Sequence, residues 1–211
     1  MTAARREVLL LDLGLGNLRS VARALERAGA VVDVSGRVEA LRRAPRLVVP
    51  GQGAFRDCAS ALEGELGEAL LARLRSGVPY LGICLGMQVL FETSAEAPAA
   101  RGLGLFPGQV VRLNPQGVDA LSGAPLKVPH MGWNEVVGSH PLLPAREHFY
   151  FVHSYQVAPT EPGLTIATAE HGERICAAVA RDNVFACQFH PEKSADAGAR
   201  LLERFLESGW S

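Results

Sequence analysis

The sequence predicts an α/β fold in which helices flank a mainly parallel central sheet. Short apolar runs, each of a length that suits a buried strand, recur through the first half of the chain. Stretches with helical periodicity separate these runs, and glycine or asparagine marks several of the junctions. Strands that alternate with helices pair in parallel through right-handed crossovers, so the two observations together predict a parallel sheet.

Four strands are predicted in the first half, at residues 8–13, 31–34, 47–49 and 78–83. The first of them leads into the turn Gly14-Leu15-Gly16-Asn17, where Asn17 is the predicted N-cap of a helix that ends at Gly29. Leucines at every fourth position predict one long helix over residues 54–76, which ends at Gly77. Another helix is predicted to begin near Cys84.

The second half of the chain has a different character. From about residue 102 to residue 181, short apolar runs alternate with proline and glycine and show no long helical period, which predicts antiparallel strands attached to the α/β core. These strands are predicted at residues 109–113, 134–137, 148–152, 164–169 and 175–180. A last core strand over 184–189 precedes a helix that Ser194 caps. Without repeats or a linker, residues 1–211 are expected to form a single domain.

Composition limits the classes of function. The net charge of -1 does not favour nucleic acid or an anionic membrane as a partner. The apolar run near the N-terminus contains Asp12 and leads into a glycine-rich turn, so we interpret it as a strand and expect a cytoplasmic protein. The four cysteines form no C-x-x-C pair, so neither a zinc ribbon nor a thioredoxin motif is indicated, and we expect no metal and no cofactor.

The most informative segment is Gly82-Ile83-Cys84-Leu85-Gly86, which joins an apolar strand to a helix. This G-x-C-x-G pattern is a nucleophile elbow with cysteine in place of serine. Both glycines are needed because the flanking residues approach each other closely around a strained nucleophile. The helix N-terminus favours the thiolate, and the Leu85 N–H is a candidate donor to a developing oxyanion. The alternative, a small buried apolar cysteine, is our interpretation of Cys58, Cys176 and Cys187.

His190 is the best candidate for the base that a thiol nucleophile needs. It ends the last predicted core strand and is followed by Pro191 and Glu192. In an extended segment, residues two apart point the same way, so the Glu192 carboxylate would orient the imidazole. His153 is the second candidate, because it also follows an apolar strand but has no carboxylate nearby in the sequence.

The loop Pro50-Gly51-Gln52-Gly53 also joins a strand to a helix. Its two glycines permit close approach of the backbone to a ligand. A dinucleotide-binding loop or a plain turn are alternatives, but the third glycine of the dinucleotide pattern is absent. We expect the backbone around Gly51, Gln52 and Gly53 to provide a second oxyanion donor, with the identity of the N–H left open.

These motifs together resemble the class I (triad) glutamine amidotransferase family, and within it the glutaminase subunits of imidazole glycerol phosphate synthases. The resemblance spans nearly the whole chain in the expected order. The segments that carry it are Gly16-Asn17-Leu18-Arg19-Ser20-Val21, Pro50-Gly51-Gln52-Gly53-Ala54-Phe55, Cys84-Leu85-Gly86-Met87-Gln88, Pro129-His130-Met131-Gly132-Trp133-Asn134, Tyr150-Phe151-Val152-His153-Ser154-Tyr155 and Gln188-Phe189-His190-Pro191-Glu192-Lys193-Ser194.

The resemblance implies a flavodoxin-like fold and a reaction in which Cys84 forms a γ-glutamyl thioester with L-glutamine. It further implies that His190 and Glu192 complete the triad. The implied contacts to the amino-acid end of the substrate are Gln88, Glu96, Ser154 and Tyr155. The implied partner is a (β/α)8-barrel cyclase subunit, which receives the ammonia in a heterodimer. Lys193 and Asn17 are the implied interface residues.

Several alternatives remain open on the residues alone. Gln52 stands where this family often carries a small apolar residue, which leaves the oxyanion donor uncertain. The chain could be a glutaminase of another pathway, such as anthranilate or pyridoxal phosphate synthesis. It could also be a cysteine peptidase or γ-glutamyl hydrolase, or a non-catalytic binding subunit. The simpler interpretation of Glu96 is a residue at a solvated helix end. The simpler interpretation of Lys193 is a solvated charge.

Overall fold

A nine-stranded sheet forms the centre of the computed structural model, which describes residues 6–118 and 123–207. The strands are β1 (Glu7–Leu11), β2 (Val31–Ser35), β3 (Leu47–Gly51), β4 (Tyr80–Cys84), β5 (Thr93–Ser94), β6 (Gly108–Arg112), β7 (His130–Gly138), β8 (Arg146–His153), β9 (Tyr155–Pro159), β10 (Thr165–Glu170), β11 (Arg174–Arg181) and β12 (Val184–Cys187). The helices are α1 (Leu18–Arg27), α2 (Val38–Arg43), α3 (Phe55–Ala61), α4 (Glu65–Arg75), α5 (Leu85–Gln88) and α6 (Ala195–Leu206), and one 3₁₀ turn spans Pro191–Lys193.

The strand order of the large sheet is β2-β1-β3-β4-β12-β11-β10-β7-β8. The first five of these strands are parallel, and the other four extend the sheet with antiparallel pairings. A smaller sheet has the order β5-β6-β9. The predicted α/β fold with an antiparallel region in the second half is therefore confirmed.

The core lies on both faces of the large sheet. α1 and α6 cover one face, with Leu25 and Phe205 packed in the same cluster as Leu10 of β1. α2, α3, α4 and α5 cover the other face, where Leu70 packs in the same cluster as Leu11. Because both faces are covered, β3 and β4 are buried along their whole length, as is usual for parallel strands.

The parallel register determines where the functional segments meet. Gly51 at the end of β3 pairs with Cys84 at the end of β4, and Cys187 of β12 pairs with Ile83. The segments that follow these three strands therefore begin at one edge of the sheet, beyond the carboxyl ends of the strands, where open α/β sheets bind their ligands.

The prediction of one helix over residues 54–76 is wrong. α3 ends at Ala61 and α4 begins at Glu65, because Gly64 adopts a left-handed φ of +70° between them. The leucine periodicity continues across this break and gives no sign of it. α2, β5 and β9 are further elements that were not predicted, and most predicted strand bounds differ by one to four residues from those observed.

The predicted helix ends agree better with the structure. The Asn17 side chain accepts a hydrogen bond from Ser20 N at 3.2 Å, and both Gly29 and Gly77 have a left-handed φ just beyond a helix. Ser194 occupies the N-cap position of α6 but makes no side-chain capping bond. In residues 6–118 and 123–207, no helix combines the length and apolarity needed to span a bilayer.

Candidate active site

Cys84 lies at a strained turn between β4 and α5. Its φ of +54° and ψ of −106° are unusual for a residue with a side chain. A Cβ added to Gly82 would lie 2.6 Å from Gly86 O, and one added to Gly86 would lie 1.8 Å from Val49 O. The two glycines are therefore required by space, and the sequence pattern predicted this elbow correctly.

The helix after Cys84 is shorter than expected. α5 has only one turn, so the dipole that acts on the sulfur is smaller than that of a full-length helix. Leu85 is the first residue of this turn, and the first N–H groups of a helix have no intrahelical acceptor. The Leu85 N–H is therefore available as an oxyanion donor.

His190 and Glu192 form a buried pair next to the nucleophile. His190 Nδ1 lies 2.8 Å from Glu192 Oε1, and both side chains are 2% exposed. The segment is not extended as predicted, since Pro191 opens a 3₁₀ turn that brings the carboxylate back to the ring. Ser194 Oγ donates to His190 O at 2.6 Å and accepts from Tyr150 N at 3.0 Å, which anchors this turn to β8.

The charges around His190 favour its protonated form. Burial lowers the pKa of His190, but hydrogen bonding and charge interactions with Cys84 and Glu192 outweigh it and raise the pKa to about 9. His190 Nε2 has no partner within hydrogen-bond geometry among the described residues, so its interaction with Cys84 is looser than a full hydrogen bond. Such contacts in an enzyme site can tighten around the substrate.

His153, the second candidate for the base, has both ring nitrogens occupied. Nδ1 lies 2.9 Å from Tyr155 O, and Nε2 lies 2.9 Å from Nδ1 of His130. Burial is the main reason why the pKa of His153 falls to about 4, and the nearby His190 lowers it further. The geometry therefore favours His190 as the base.

A cavity of about 500 Å³ collects most of the predicted site residues. Its walls include Gln52, Gly53, Cys84, Leu85, Gln88, Glu96, Ser154, Tyr155, His190 and Lys193. Glutamine fits a space of this size with room for water. A second cavity, of about 580 Å³, lies beside β2 and α2 and contains none of the predicted site residues.

Gln188 is a buried residue of the site that the sequence analysis missed. Its Nε2 donates to Cys84 Sγ at 3.4 Å, and its Oε1 accepts from Gln88 Nε2 at 3.0 Å. Gln88 Nε2 also donates to Tyr155 O at 3.0 Å. The available signal was a glutamine inside the apolar run predicted as the last core strand, since a polar side chain buried there needs partners.

Glu96 is held by the helix that follows the glycine loop. Its Oε2 accepts a hydrogen bond from Phe55 N at 2.9 Å, so the carboxylate caps α3 while facing the cavity. Glu96 itself lies in a turn after β5 and is half-buried, so the simpler interpretation as a solvated helix end is wrong.

The glycine loop closes the cavity on the side of β3. A Cβ added to Gly51 would lie 2.5 Å from Leu85 Cβ, so only glycine permits this contact with the elbow. Gly53 has a left-handed φ of +114°. No described residue accepts a hydrogen bond from Gln52 N or Gly53 N, so both N–H groups are open as second oxyanion donors.

The two predicted interface residues lie close to the triad but not in one place. Lys193 is exposed and lines the cavity mouth. Asn17 is exposed, caps α1 and lines a much smaller cavity behind His190 and Glu192. The capping bond accounts for an asparagine at position 17 without a role in an interface. No contact among the described residues accounts for a lysine at position 193.

Comparison with known proteins agrees with this geometry. The family model for class-I glutamine amidotransferases matches residues 9–208. The imidazole glycerol phosphate synthase subunit HisH of Methylococcus capsulatus is 47% identical over 213 residues, which is 97% of this chain and 98% of that protein. The subunit of the same name from Geobacillus thermodenitrificans is 48% identical over 202 residues, which is 93% of each.

Solved structures share the fold. A crystal structure of a glutamine amidotransferase superposes with a TM-score of 0.73 at 22% identity, covering 94% of this chain and 96% of that one. PurLQS from Thermotoga maritima gives a TM-score of 0.73 at 18% identity, covering 97% of this chain and 98% of that one. The family model and the similar proteins show that the chain belongs to the class-I glutamine amidotransferase family, and the elbow at Cys84 and the buried His190–Glu192 pair agree with this.

Proposed function

We propose that this chain is the glutaminase subunit of an imidazole glycerol phosphate synthase in histidine biosynthesis. It hydrolyses L-glutamine to glutamate and ammonia and delivers the ammonia to a cyclase subunit. The observation that carries the proposal is the strained Cys84 beside the buried His190–Glu192 pair. The names of the relatives support this pathway over anthranilate or pyridoxal phosphate synthesis.

In the first half of the reaction, the Cys84 thiolate attacks the side-chain amide carbon of glutamine. The carbonyl oxygen becomes an oxyanion, which the Leu85 N–H and an N–H of the Gly51–Gly53 loop stabilise. Protonated His190 donates its Nε2 proton to the amide nitrogen, the C–N bond breaks, and ammonia leaves. The product on the enzyme is a γ-glutamyl thioester of Cys84.

In the second half, water attacks the thioester carbon and gives a proton to the now neutral His190. The C–S bond breaks, which restores the thiolate–imidazolium pair, and the new γ-carboxyl group loses its remaining proton to solvent as glutamate leaves. Glu192 keeps the ring oriented through its 2.8 Å contact with Nδ1 and stabilises the charged form at each stage.

The amino-acid end of glutamine would bind at the wall opposite the triad. The Glu96 carboxylate suits the α-ammonium group. Both N–H groups of Gln88 are already donated to Tyr155 O and Gln188 Oε1, so Gln88 would use its Oε1 as an acceptor. The backbone at Ser154 and Tyr155 completes this wall.

The central test compares wild-type and variant chains in complex with the cyclase subunit. His190→Asn should abolish release of glutamate from glutamine, whereas retained activity would move the base to His153. A glutamine-mimicking electrophile should label the peptide that contains Cys84, and Cys58→Ala, a buried cysteine outside the cavity, is the matched control. Labelling that persists in Cys84→Ala would refute the assigned nucleophile, as would cleavage of peptides in place of glutamine.

The partner surface is proposed around Lys193 and Asn17. Met131 and Trp133 of β7, which are 63% and 54% exposed, add apolar area on the strand that follows Pro129 at the cavity. Lys193→Ala should weaken cyclase binding or the stimulation of glutaminase activity by the cyclase ligand. Lys127→Ala is the control, because Lys127 is the only other lysine and is also exposed. Unchanged binding and coupling would remove Lys193 from the interface.

We further propose a domain organisation, a cellular location and a partner for this chain. Residues 1–211 would act as a single catalytic domain in the cytoplasm, bound to a (β/α)8-barrel cyclase as a heterodimer. The isolated chain should hydrolyse glutamine slowly until the cyclase subunit and its ligand are present. Full turnover by the isolated chain would contradict this coupling.

A further inference from the structure

A second hydrogen-bonded chain, separate from the triad, runs from β7 to the substrate cavity. Asn134 Nδ2 lies 3.1 Å from His130 Nε2, and His130 Nδ1 lies 2.9 Å from His153 Nε2. His153 Nδ1 lies 2.9 Å from Tyr155 O. His130 and His153 are directly opposite each other in the β7–β8 ladder, which is why their rings meet.

The direction of every bond in this chain follows from its two ends. Tyr155 O can only accept, so His153 carries its proton on Nδ1 and its Nε2 is an acceptor. His130 therefore donates from Nδ1, which leaves its own Nε2 as an acceptor for the Asn134 amide. Asn134 Nδ2 also donates to the carbonyl of Glu170 at 2.7 Å, which fixes the orientation of that amide.

The two histidines of the chain are buried and carry no charge. His130 is 3% exposed and His153 is 6% exposed. The His130 ring stacks on Phe151 at 4.6 Å and on His171 at 4.2 Å, which fixes the plane of the donor. Burial is the largest cause that lowers the pKa of both rings, to about 3 for His130 and about 4 for His153.

The chain ends on an atom that organises the substrate wall. Tyr155 O accepts from His153 on one side and from Gln88 Nε2 on the other. Gln88 then contacts Gln188, whose amide reaches Cys84 Sγ. The position of one carbonyl therefore affects the backbone at Ser154 and Tyr155, the Gln88 side chain and the environment of the nucleophile.

We propose that His130 is a positioning residue for glutamine binding: by donating to His153, it holds the Tyr155 carbonyl and thereby the wall that receives the amino-acid end of the substrate. This inference rests on the proposed glutaminase function. It assigns no proton transfer to His130, which acts only through His153. Loss of the donor would leave His153 Nε2 buried without a partner and let the wall sample positions that do not bind glutamine.

The test uses two variants of similar size in the complex with the cyclase subunit. His130→Asn keeps an amide N–H where Nδ1 was, whereas His130→Leu removes the donor, and both lose the stacking on Phe151. We expect His130→Leu to raise KM for glutamine about ten-fold with kcat changed less than about two-fold, and His130→Asn to recover most of the loss. Equal KM values in the two variants would overturn the proposal, as would a loss confined to kcat.

A second measurement does not depend on the variants folding. Nitrogen NMR of the full wild-type chain with labelled histidine should show both rings neutral at pH 7 with the proton on Nδ1, which is the less common neutral form. A proton on Nε2 of His153 would break the chain of donors and overturn the proposal. If the wild-type complex releases no glutamate from glutamine, the proposed function fails, whereas the NMR result tests the positioning chain on its own.

Discussion

Acid should destabilise this protein through its buried neutral histidines. In the unfolded chain, His130 and His153 take up protons below their ordinary pKa of about 6.5. In the folded chain their pKa values are lowered to about 3 and about 4, mainly by burial, so both rings stay neutral over a wider range. At these two residues the unfolded state therefore binds more protons below pH 6.5, so their contribution to the free energy of unfolding falls as the pH falls. The raised pKa of His190 acts in the opposite direction, mainly between pH 9 and pH 6.5.

The magnitude follows from the two shifts. Between pH 7.5 and pH 5, each histidine whose folded pKa lies at or below 4 removes about 2 kcal/mol of stability, so the pair removes about 4 kcal/mol. The stability of a domain is about 5–15 kcal/mol, so this loss is a large fraction of the total. The loss of stability from these two histidines reaches its full size only below their folded pKa values, and it is absent above pH 7.

Urea unfolding at pH 7.5 and at pH 5 measures this loss. The His130→Asn variant has one titrating ring fewer, so its loss should be smaller than that of the wild type by about 2 kcal/mol. Contributions from His140, whose pKa burial also lowers, and from His190, whose raised pKa acts in the opposite direction, are present in both proteins and cancel. An equal loss in the two proteins would refute the argument that the buried neutral ring is the acid-sensitive group.

Three further substitutions test the site and the fold. Gly86→Ala places a Cβ 1.8 Å from Val49 O. Urea unfolding should therefore show a free energy of unfolding lower by about 3 kcal/mol, or no folded protein at all. Wild-type stability would contradict the close packing at the elbow. Glu192→Gln should lower kcat on the order of 10²- to 10⁴-fold with little change in KM, because the charge that stabilises protonated His190 is lost; an unchanged kcat would exclude that role. Gly64→Ala should lower the free energy of unfolding by about 1–3 kcal/mol, because few residues other than glycine adopt its φ of +70° with ψ of −140°. Steady-state glutamine kinetics should be unchanged, and altered kinetics would tie this helix break to the site.

The nucleophile could be predicted from sequence because its signal is local. A strand, two glycines and a cysteine within five residues specify the elbow, and the space around Gly82 and Gly86 requires that pattern. The parallel core was predictable for a related reason, since strands buried on both faces are continuous apolar runs.

Elements were missed where a stronger local pattern concealed the cause or where the cause is distant in the sequence. The break between α3 and α4 depends on the left-handed Gly64, while the apolar spacing on either side of it is that of one helix. β9 begins only two residues after β8 ends and pairs with β6 in the other sheet, and the predicted strand over residues 148–152 gave no sign of it. Gln188 shares this difficulty, since its partners Gln88 and Cys84 are 100 and 104 residues away.

His190 and His153 illustrate why one side chain type can have opposite roles in one cavity. His153 is the last residue of β8, His190 follows β12, and both are buried. The pKa of His190 is raised because Cys84 and Glu192, the latter two residues away, favour its charge and outweigh burial. The pKa of His153 is lowered because burial dominates, and charge interactions with His171 and His190 lower it further. The partner of His190 could be identified in the sequence, whereas the partner of His153 is set by the pairing of β7 with β8 across 23 residues. A charged imidazole beside a charged imidazole would be unstable, so a neutral His153 is the condition under which His190 can hold the catalytic proton.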